Sequence, residues 1–195
     1  MRLEAGKIYL RPLTKREVPE VYEAIEASRR ELHNWMFWET ETDCEYDVLK
    51  YVRRTQFQRR KGISADLGVF DAATNRFLGC VGLYGIDARH QVAELGYWVR
   101  SDRHRRGVAF AASVALLRLG FEDMKLHKVR ARVNVANRAS AGLLKKLGFV
   151  KEGISRDDLK VAGKWSDHVY LGLLEREYRG LSKSFDRQVP RTIAP

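Results

Sequence analysis

The sequence is poor in the features that mark secreted or membrane-spanning chains. Its two cysteines, Cys44 and Cys80, lie in unrelated contexts without C-x-x-C spacing, so we expect two free thiols and neither a disulfide framework nor a zinc knuckle. Charged residues interrupt every apolar stretch well before the roughly 20 residues that a membrane-spanning helix needs. Residues 1–7 carry no apolar signal core and no small-residue cleavage site. We therefore expect a cytoplasmic protein that does not enter a membrane, and we predict no metal site.

The charge of the chain is strongly one-sided. There are 36 Lys and Arg against 25 Asp and Glu, which leaves a formal net charge of +11 over 195 residues. Hydrophobic residues make up 45% of the chain, as in a globular domain with its own core. The excess of positive charge attracts polyanions, which include nucleic acid, anionic lipid, acidic proteins and phosphorylated cofactors. Charge alone does not choose among these partners.

Hydrophobic periodicity predicts a mixed α/β domain with about four helices around a mixed sheet. We expect a single domain over residues 1–178 and a basic, frayed tail over residues 179–195. The predicted elements are a strand at 8–13, helices at 14–28 and 46–60, a hairpin of 65–70 and 77–84, a strand at 93–99, a helix from Gly107, a strand at 128–135, a helix at 138–147, and two strands at 149–154 and 168–174 around a long polar connection.

A basic turn at residues 103–106 precedes Gly107 and the longest apolar helix. The start of a helix has unpaired N–H groups and a partial positive charge, and arginines next to it favour phosphate binding. Gly107 lets the backbone approach such a ligand closely. The other basic cluster, at residues 53–61, is interpreted as a solvated helix face.

Three motifs follow one another along the chain. They are Tyr97-Trp98-Val99, then Arg105-Arg106-Gly107-Val108-Ala109, then Asn137-Arg138-Ala139-Ser140 running into residues 143–149. In this order they resemble the GNAT acetyltransferases, and more narrowly their RimJ/RimL branch. Further likeness lies at 152–153 and 163–168, so the similarity covers residues 8 to about 178.

The resemblance implies a mostly antiparallel sheet that splays between two parallel strands, here residues 94–99 and 128–135. It also implies acetyl-CoA as co-substrate, with the pantetheine on the backbone of the first strand and the pyrophosphate on the N–H groups of the basic turn. His104 stands where the turn of the family usually has Gln or Arg. The residues assigned to the cofactor are Tyr97, Trp98, Val99, His104, Arg105, Arg106, Gly107, Val108, Ala109, Asn137 and Ser140.

The same resemblance assigns two catalytic side chains. Glu94, at the start of the splay, is the expected base for the attacking amine, and Ser140 is expected to stabilise or protonate the leaving thiolate. Many GNAT enzymes carry a tyrosine acid where this chain has Leu144, which increases the weight on Ser140. The alternative for Glu94 is an ordinary ion pair with Arg130 or Arg132.

Four residues are candidates for the acceptor site. Trp35 and Trp38 could line it or could simply cap the core, and Asp157 and Asp158 could hold an ammonium group or be solvated turn acids. We expect transfer to a protein N-terminal α-amine, such as that of a ribosomal protein. The alternatives are a small-amine acetyltransferase (antibiotic, polyamine or amino-acid derivative) and a non-catalytic RNA- or ribosome-binding module. Expected partners are acetyl-CoA, the acceptor and the ribosome or an acidic protein, with the chain a monomer or homodimer.

Overall fold

A computed structural model describes residues 1–36 and 38–191. Its eight strands are β1 Leu3–Ala5, β2 Ile8–Arg11, β3 Ala65–Asp71, β4 Phe77–Asp87, β5 Val92–Val99, β6 Lys128–Asn134, β7 Val150–Val161 and β8 Lys164–Leu174. Its six α-helices are α1 Val18–Glu26, α2 Arg29–His33, α3 Glu45–Arg60, α4 Val108–Arg118, α5 Arg138–Lys146 and α6 Glu175–Gln188. The mixed α/β class is therefore confirmed, with six α-helices instead of about four.

All strands form one sheet in the order β1-β2-β3-β4-β5-β6-β8-β7. Every neighbouring pair is antiparallel except β5 and β6, which are parallel. The parallel ladder contains three residue pairs and ends at Glu94 opposite Arg130. Beyond that point β6 continues to pair with β8 as far as Asn134. The two central strands therefore separate, which confirms the predicted splay.

The sheet has a different core on each face. On the α4 face, Leu67, Val81 and Leu95 pack with residues of α4, α5 and α6. On the α3 face, Phe70 and Phe77 pack with residues of α1 and α3. The small residues of α4 let this helix approach the sheet closely, and it continues into a π-helical turn at Leu119–Asp123. Successive residues of β5 thus face opposite cores.

Thr14 and Glu17 form a capping box, which opens a 3₁₀ turn at Lys15–Glu17 before α1. The predicted helix at 14–28 is therefore divided between this turn and α1. Cys44 is exposed and Cys80 is buried, and both thiols are free, as expected. None of the helices in the described part of the chain is long and apolar enough to span a bilayer.

The long polar connection predicted between 154 and 168 is wrong. Strands β7 and β8 run through it and meet at a two-residue turn, Ala162-Gly163, where both residues have left-handed φ angles of 49° and 77°. Most residues of β7 are exposed, so this strand lacks an apolar alternation. Register shifts at two places, after Lys151 and after Ser155, break what periodicity remains.

The frayed tail predicted from residue 179 is also wrong as far as Arg191. Helix α6 follows β8 directly and buries Tyr178 and Phe185. The buried Arg118 guanidinium donates to the Asp186 carboxylate at 2.8 Å and to the Val189 carbonyl at 2.7 Å. The burial of these two aromatic side chains thus stabilises a helix in a segment of mostly polar residues. Residues 192–195 of the predicted tail lie outside the described residues.

Candidate active site

The separation of β5 from β6 creates an opening in the middle of the sheet. The segment of β5 beyond Glu94 pairs with β4 on one side, with Tyr97 opposite Val81 and Trp98 opposite Cys80. Its other edge has no ladder with β6. Backbone N–H and C=O groups on such an edge are available to an extended ligand with amide groups of its own. The predicted segment Tyr97-Trp98-Val99 lies in this stretch.

The basic turn after β5 has the backbone geometry of an anion site. Arg105 and Gly107 both have left-handed φ angles, 59° and 77°, and Gly107 is the N-cap of α4 without a side-chain cap. The space beside Gly107 is open, with no atom within 4 Å of where a Cβ would lie. His104 anchors the turn, because its Nε2 lies 2.8 Å from the carbonyl oxygen of Val99. The first N–H groups of α4 are thus presented to solvent.

An open groove of about 730 Å³ adjoins this turn. Arg103, Arg106 and Lys146 line it together with the ring of Phe110. The Lys146 ammonium lies 4.3 Å from the centre of that ring, a cation–π contact that joins α5 to α4. Lys7 and Asp71 also line the groove, and this excess of four cations over one carboxylate favours a ligand with several negative charges.

A pair of hydroxyl groups bridges the opening from β5 to α5. The side chain of Asn137 accepts a hydrogen bond from the N–H of Ser140 at 3.0 Å and so caps α5. The hydroxyl of Ser140 lies 2.9 Å from that of Tyr97. Burial raises the pKa of Tyr97 to about 12, although the hydrogen bond with Ser140 opposes this shift. The sequence analysis assigned only the backbone of Tyr97 to the site, as a partner of the pantetheine. The structure adds the Tyr97 hydroxyl to the candidate site.

Glu94 lies on the opposite face of the sheet, where its side chain is 43% exposed. Its carboxylate is 3.7 Å from Nη2 of Arg132, so the ion pair considered as an alternative is present. The other end of the same guanidinium, Nη1, lies 3.4 Å from the carboxylate of Asp158. Because Arg132 is shared by two carboxylates and neither contact is short, Glu94 remains open to a further ligand.

Asp158 belongs to this polar cluster. Tyr170 donates a hydrogen bond to it at 2.9 Å. Burial alone would raise the pKa of Asp158, but the Tyr170 hydroxyl and the positive charge of Arg132 outweigh it, and the pKa lies below the ordinary value. Asp157, in contrast, is exposed, and its backbone N–H donates to the Asp167 carboxylate at 2.9 Å. The structure thus brings Asp158, and not Asp157, beside Glu94.

The two candidate tryptophans lie in the segment after α2. Trp38 is half-buried and packs against Trp98, with ring centres 5.9 Å apart. This contact supports the interpretation of Trp38 as a cap of the α3-face core. Trp35 is half-buried. Within residues 1–36 and 38–191, no group of three or more His, Cys, Asp or Glu side chains is placed to hold a metal ion.

Residues 7–150 match the model of the acetyltransferase (GNAT) domain. The chain belongs to the GNAT acetyltransferase family. It is 33% identical over 180 residues to the probable N-acetyltransferase YjcK of Bacillus subtilis (strain 168), a match that covers 88% of this chain and 96% of that protein. It is 29% identical over 115 residues to the ribosomal protein uS5-alanine N-acetyltransferase of Escherichia coli (strain K12), covering 58% of this chain and 59% of that enzyme.

A solved structure shares the fold over nearly the whole length. It is that of Mycobacterium smegmatis RimJ in complex with CoA-disulfide, with a TM-score of 0.84, 23% identity, and coverage of 97% of this chain and 94% of that one. The resemblance to RimJ/RimL-type GNAT enzymes is therefore confirmed. The chain is an acyltransferase, and its class is that of the N-acetyltransferases.

Proposed function

We propose that this GNAT enzyme transfers the acetyl group of acetyl-CoA to the α-amine of a protein N-terminus, with a ribosomal protein as acceptor. The observation that carries the proposal is the opening beyond Glu94, with a carboxylate on one face and two hydroxyl groups on the other. The uS5-alanine N-acetyltransferase of E. coli, whose name gives a ribosomal acceptor, supports the choice of acceptor.

In this proposal acetyl-CoA lies along the separated part of β5. The pantetheine amides pair with backbone groups of Tyr97, Trp98 and Val99, and Asn137 lies beside the pantetheine arm. The pyrophosphate lies at the turn, on the N–H groups of residues 105–109. The cation-lined groove beside the turn is close enough to take part in binding the phosphates. No metal takes part in the proposed reaction.

The reaction is a direct attack of the amine on the thioester carbonyl carbon. A C–N bond forms, the C–S bond breaks, and Glu94 accepts the proton that the amine nitrogen loses. The Ser140 hydroxyl gives its proton to the departing sulfur, which leaves as the thiol of CoA. Ser140 then regains a proton and Glu94 releases the one it accepted, so protons balance over the cycle. An α-amine has a pKa near 8, against about 10.4 for lysine, so an exposed carboxylate suffices as base for an N-terminus.

Asp158 and Arg132 complete the acceptor side of the proposed site. Their polar cluster lies on the same face as Glu94, so an amine that approaches from this face meets a fixed pattern of charges. Asp158 would attract the ammonium form of the acceptor, and Arg132 would keep Glu94 in place. The net charge of +11 would speed encounter with an acidic protein or with the ribosome, in a cytoplasmic setting.

The test is acetyl-CoA-dependent release of free thiol by the purified chain. Peptides with free N-termini are compared with the same peptides blocked at the N-terminus but carrying a lysine, and with small amines including polyamines. Turnover with free N-termini alone supports the proposal. Turnover with small amines alone overturns it in favour of a small-amine acetyltransferase, and salt-dependent RNA binding without any turnover favours a non-catalytic module.

A further inference from the structure

The phenol of Tyr97 occupies an unusual place in the sheet. Its ring reaches from β5 towards the first turn of α5, across the opening where β5 and β6 separate. The hydroxyl lies 2.9 Å from the Ser140 hydroxyl and 3.4 Å from the Ser140 carbonyl oxygen. Since a carbonyl oxygen only accepts, the Tyr97 hydroxyl can donate to either oxygen of Ser140.

The alternation of β5 separates this phenol from Glu94. Residues 93, 95, 97 and 99 face the α4 side of the sheet, whereas residues 94, 96 and 98 face the α3 side. Tyr97 and Ser140 therefore lie together on the α4 face, beside the backbone edge proposed for pantetheine. A proton donor for the sulfur is needed on this face, while the base for the amine lies on the other.

Helix α5 offers few other donors at this point. Leu144, one turn after Ser140, is buried and apolar. The only hydroxyl between Arg138 and Lys146 is that of Ser140, and the charged groups of this helix are exposed. Ser140 alone would be a very weak acid, because an alkyl hydroxyl gives up its proton far less readily than a phenol does.

We propose that Tyr97 is a positioning residue of the reaction, whose hydroxyl donates to Ser140 Oγ and so aims the Ser140 proton at the sulfur of acetyl-CoA. The inference rests on the proposed function. As the C–S bond breaks, the electron pair stays on sulfur, the Ser140 proton moves to it, and the Tyr97 proton moves to Ser140 Oγ. The phenolate then regains a proton from water, and the proton on Glu94 returns to water, so protons balance over the cycle.

The surroundings of Tyr97 suit this role. Burial raises its pKa to about 12, so the phenol stays protonated and ready to donate throughout the neutral range. A hydrogen bond becomes stronger as its acceptor gains negative charge, and this effect grows in a partly buried site. The hydrogen bonds from Tyr97 to Ser140 and from Ser140 to sulfur therefore strengthen as negative charge appears on sulfur, which raises kcat and leaves substrate binding unchanged.

The test compares Tyr97→Phe with Tyr9→Phe in the full chain. Tyr9 is also a strand tyrosine that donates one hydrogen bond to a polar side chain, Asn75, at 3.0 Å, but it lies on β2. We expect Tyr97→Phe to lower kcat by about 10- to 100-fold, with the KM for acetyl-CoA and the melting temperature unchanged. Tyr9→Phe should retain wild-type kcat. An unchanged kcat in Tyr97→Phe overturns the inference.

Two further measurements separate proton supply from mere packing. If Tyr97 acts through Ser140, the double variant Tyr97→Phe/Ser140→Ala should be no slower than Ser140→Ala alone, whereas independent effects would multiply. Replacement of Tyr97 by a fluorinated tyrosine, whose phenol is more acidic, should keep kcat near the wild-type value and shift the alkaline limb of the pH profile downwards. A multiplicative double variant, or a fluorinated variant as slow as Tyr97→Phe, contradicts the inference. Absence of turnover by the wild type with every amine would contradict the proposed function instead.

Discussion

The two faces of strand β5 differ in how their polar groups are arranged. On the α4 face, Ala93, Leu95 and Val99 are buried and the one polar group is the Tyr97 hydroxyl, paired with Ser140. On the α3 face, Glu94 is exposed and belongs to a cluster of charges around Arg132. One face thus supplies neutral donors in an apolar setting, and the other supplies charged groups in contact with water.

This difference matters because the two steps of acyl transfer need opposite chemistry. A carboxylate beside the sulfur would repel the developing thiolate, and a buried phenol beside the amine would be a poor proton acceptor. A β-strand places neighbouring residues on opposite faces at no cost in chain length. In the proposed reaction, the opening in the sheet lets groups on both faces reach the same thioester carbon.

The largest effect should come from removing the anion site on the α4 side. Gly107→Glu places a side chain at a φ of 77°, in open space beside the expected phosphates, and adds a negative charge there. We expect loss of detectable acetyl-CoA binding by calorimetry. Gly163→Glu is the matched control, because Gly163 has the same φ of 77° and equally open surroundings at the β7–β8 turn. Normal binding by the Gly107 variant would show that the phosphates lie elsewhere.

A large effect on rate alone should come from the α3 face. Glu94→Gln removes the proposed base but keeps its shape, and we expect kcat to fall by about 100-fold with little change in affinity for acetyl-CoA. Steady-state kinetics over a range of pH measure this. Glu152→Gln is the control, since Glu152 is 41% exposed against 43% for Glu94 and also pairs with a cation of β6, Lys128. If the Glu94 variant had wild-type rates at every pH, Glu94 would not be the base of the reaction.

A smaller effect concerns a second carboxylate deep on the α3 face. Asp66 is buried, and one of its oxygens accepts a hydrogen bond from Tyr51 at 2.8 Å, whereas the other has no hydrogen-bond partner among the described residues. Burial raises its pKa to about 6 from an ordinary value of 3.8. Between these two values the unfolded chain loses the proton while the folded chain keeps it, so this group lowers the free energy of unfolding as pH rises from about 4 to about 6.

Asp66→Asn should therefore stabilise the fold by about 3 kcal/mol at neutral pH, and the gain should vanish below about pH 4. Chemical denaturation at several pH values measures this. Asp158→Asn should have the opposite effect. The pKa of Asp158 is lowered, so its charged form stabilises the fold at any pH above the ordinary pKa of an aspartate, and this contribution is lost as the pH falls through the lowered pKa. A gain for Asp66→Asn that did not depend on pH would show that ionisation is not its cause.

Much of the catalytic framework could be predicted from residues with a local signature. The alternation of residues 128–135 and the small residues after Gly107 indicated β6 and α4, and Asn137 before an amphipathic run indicated the cap of α5. These features depend on neighbours in the sequence. The basic turn was also recognisable, since Gly107 marks a left-handed backbone at a helix start.

Contacts between distant segments could not be predicted in the same way. The Tyr97 hydroxyl meets Ser140 across 43 residues, and Arg132 meets Asp158 across 26, so only the strand order brings them together. The strands at 149–154 and 168–174 were predicted, but their continuation through residues 155–167 was missed because exposed, bulged strands have no apolar period. Helix α6 was missed because its sequence is mostly polar. It is stabilised by two aromatic side chains, Tyr178 and Phe185, which are buried against residues that are distant in the sequence.

The bulges of β7 have a consequence for how copies of this chain behave in concentrated solution. β7 is an outer strand of the sheet and contains twelve residues, long enough to act as a template for the strand of another molecule. Its two register shifts twist the hydrogen-bonding edge, and its exposed residues include five charged side chains, Lys151, Glu152, Arg156, Asp157 and Lys160. Both features oppose the pairing of β7 with a strand of another molecule, and so oppose aggregation through this edge of the sheet.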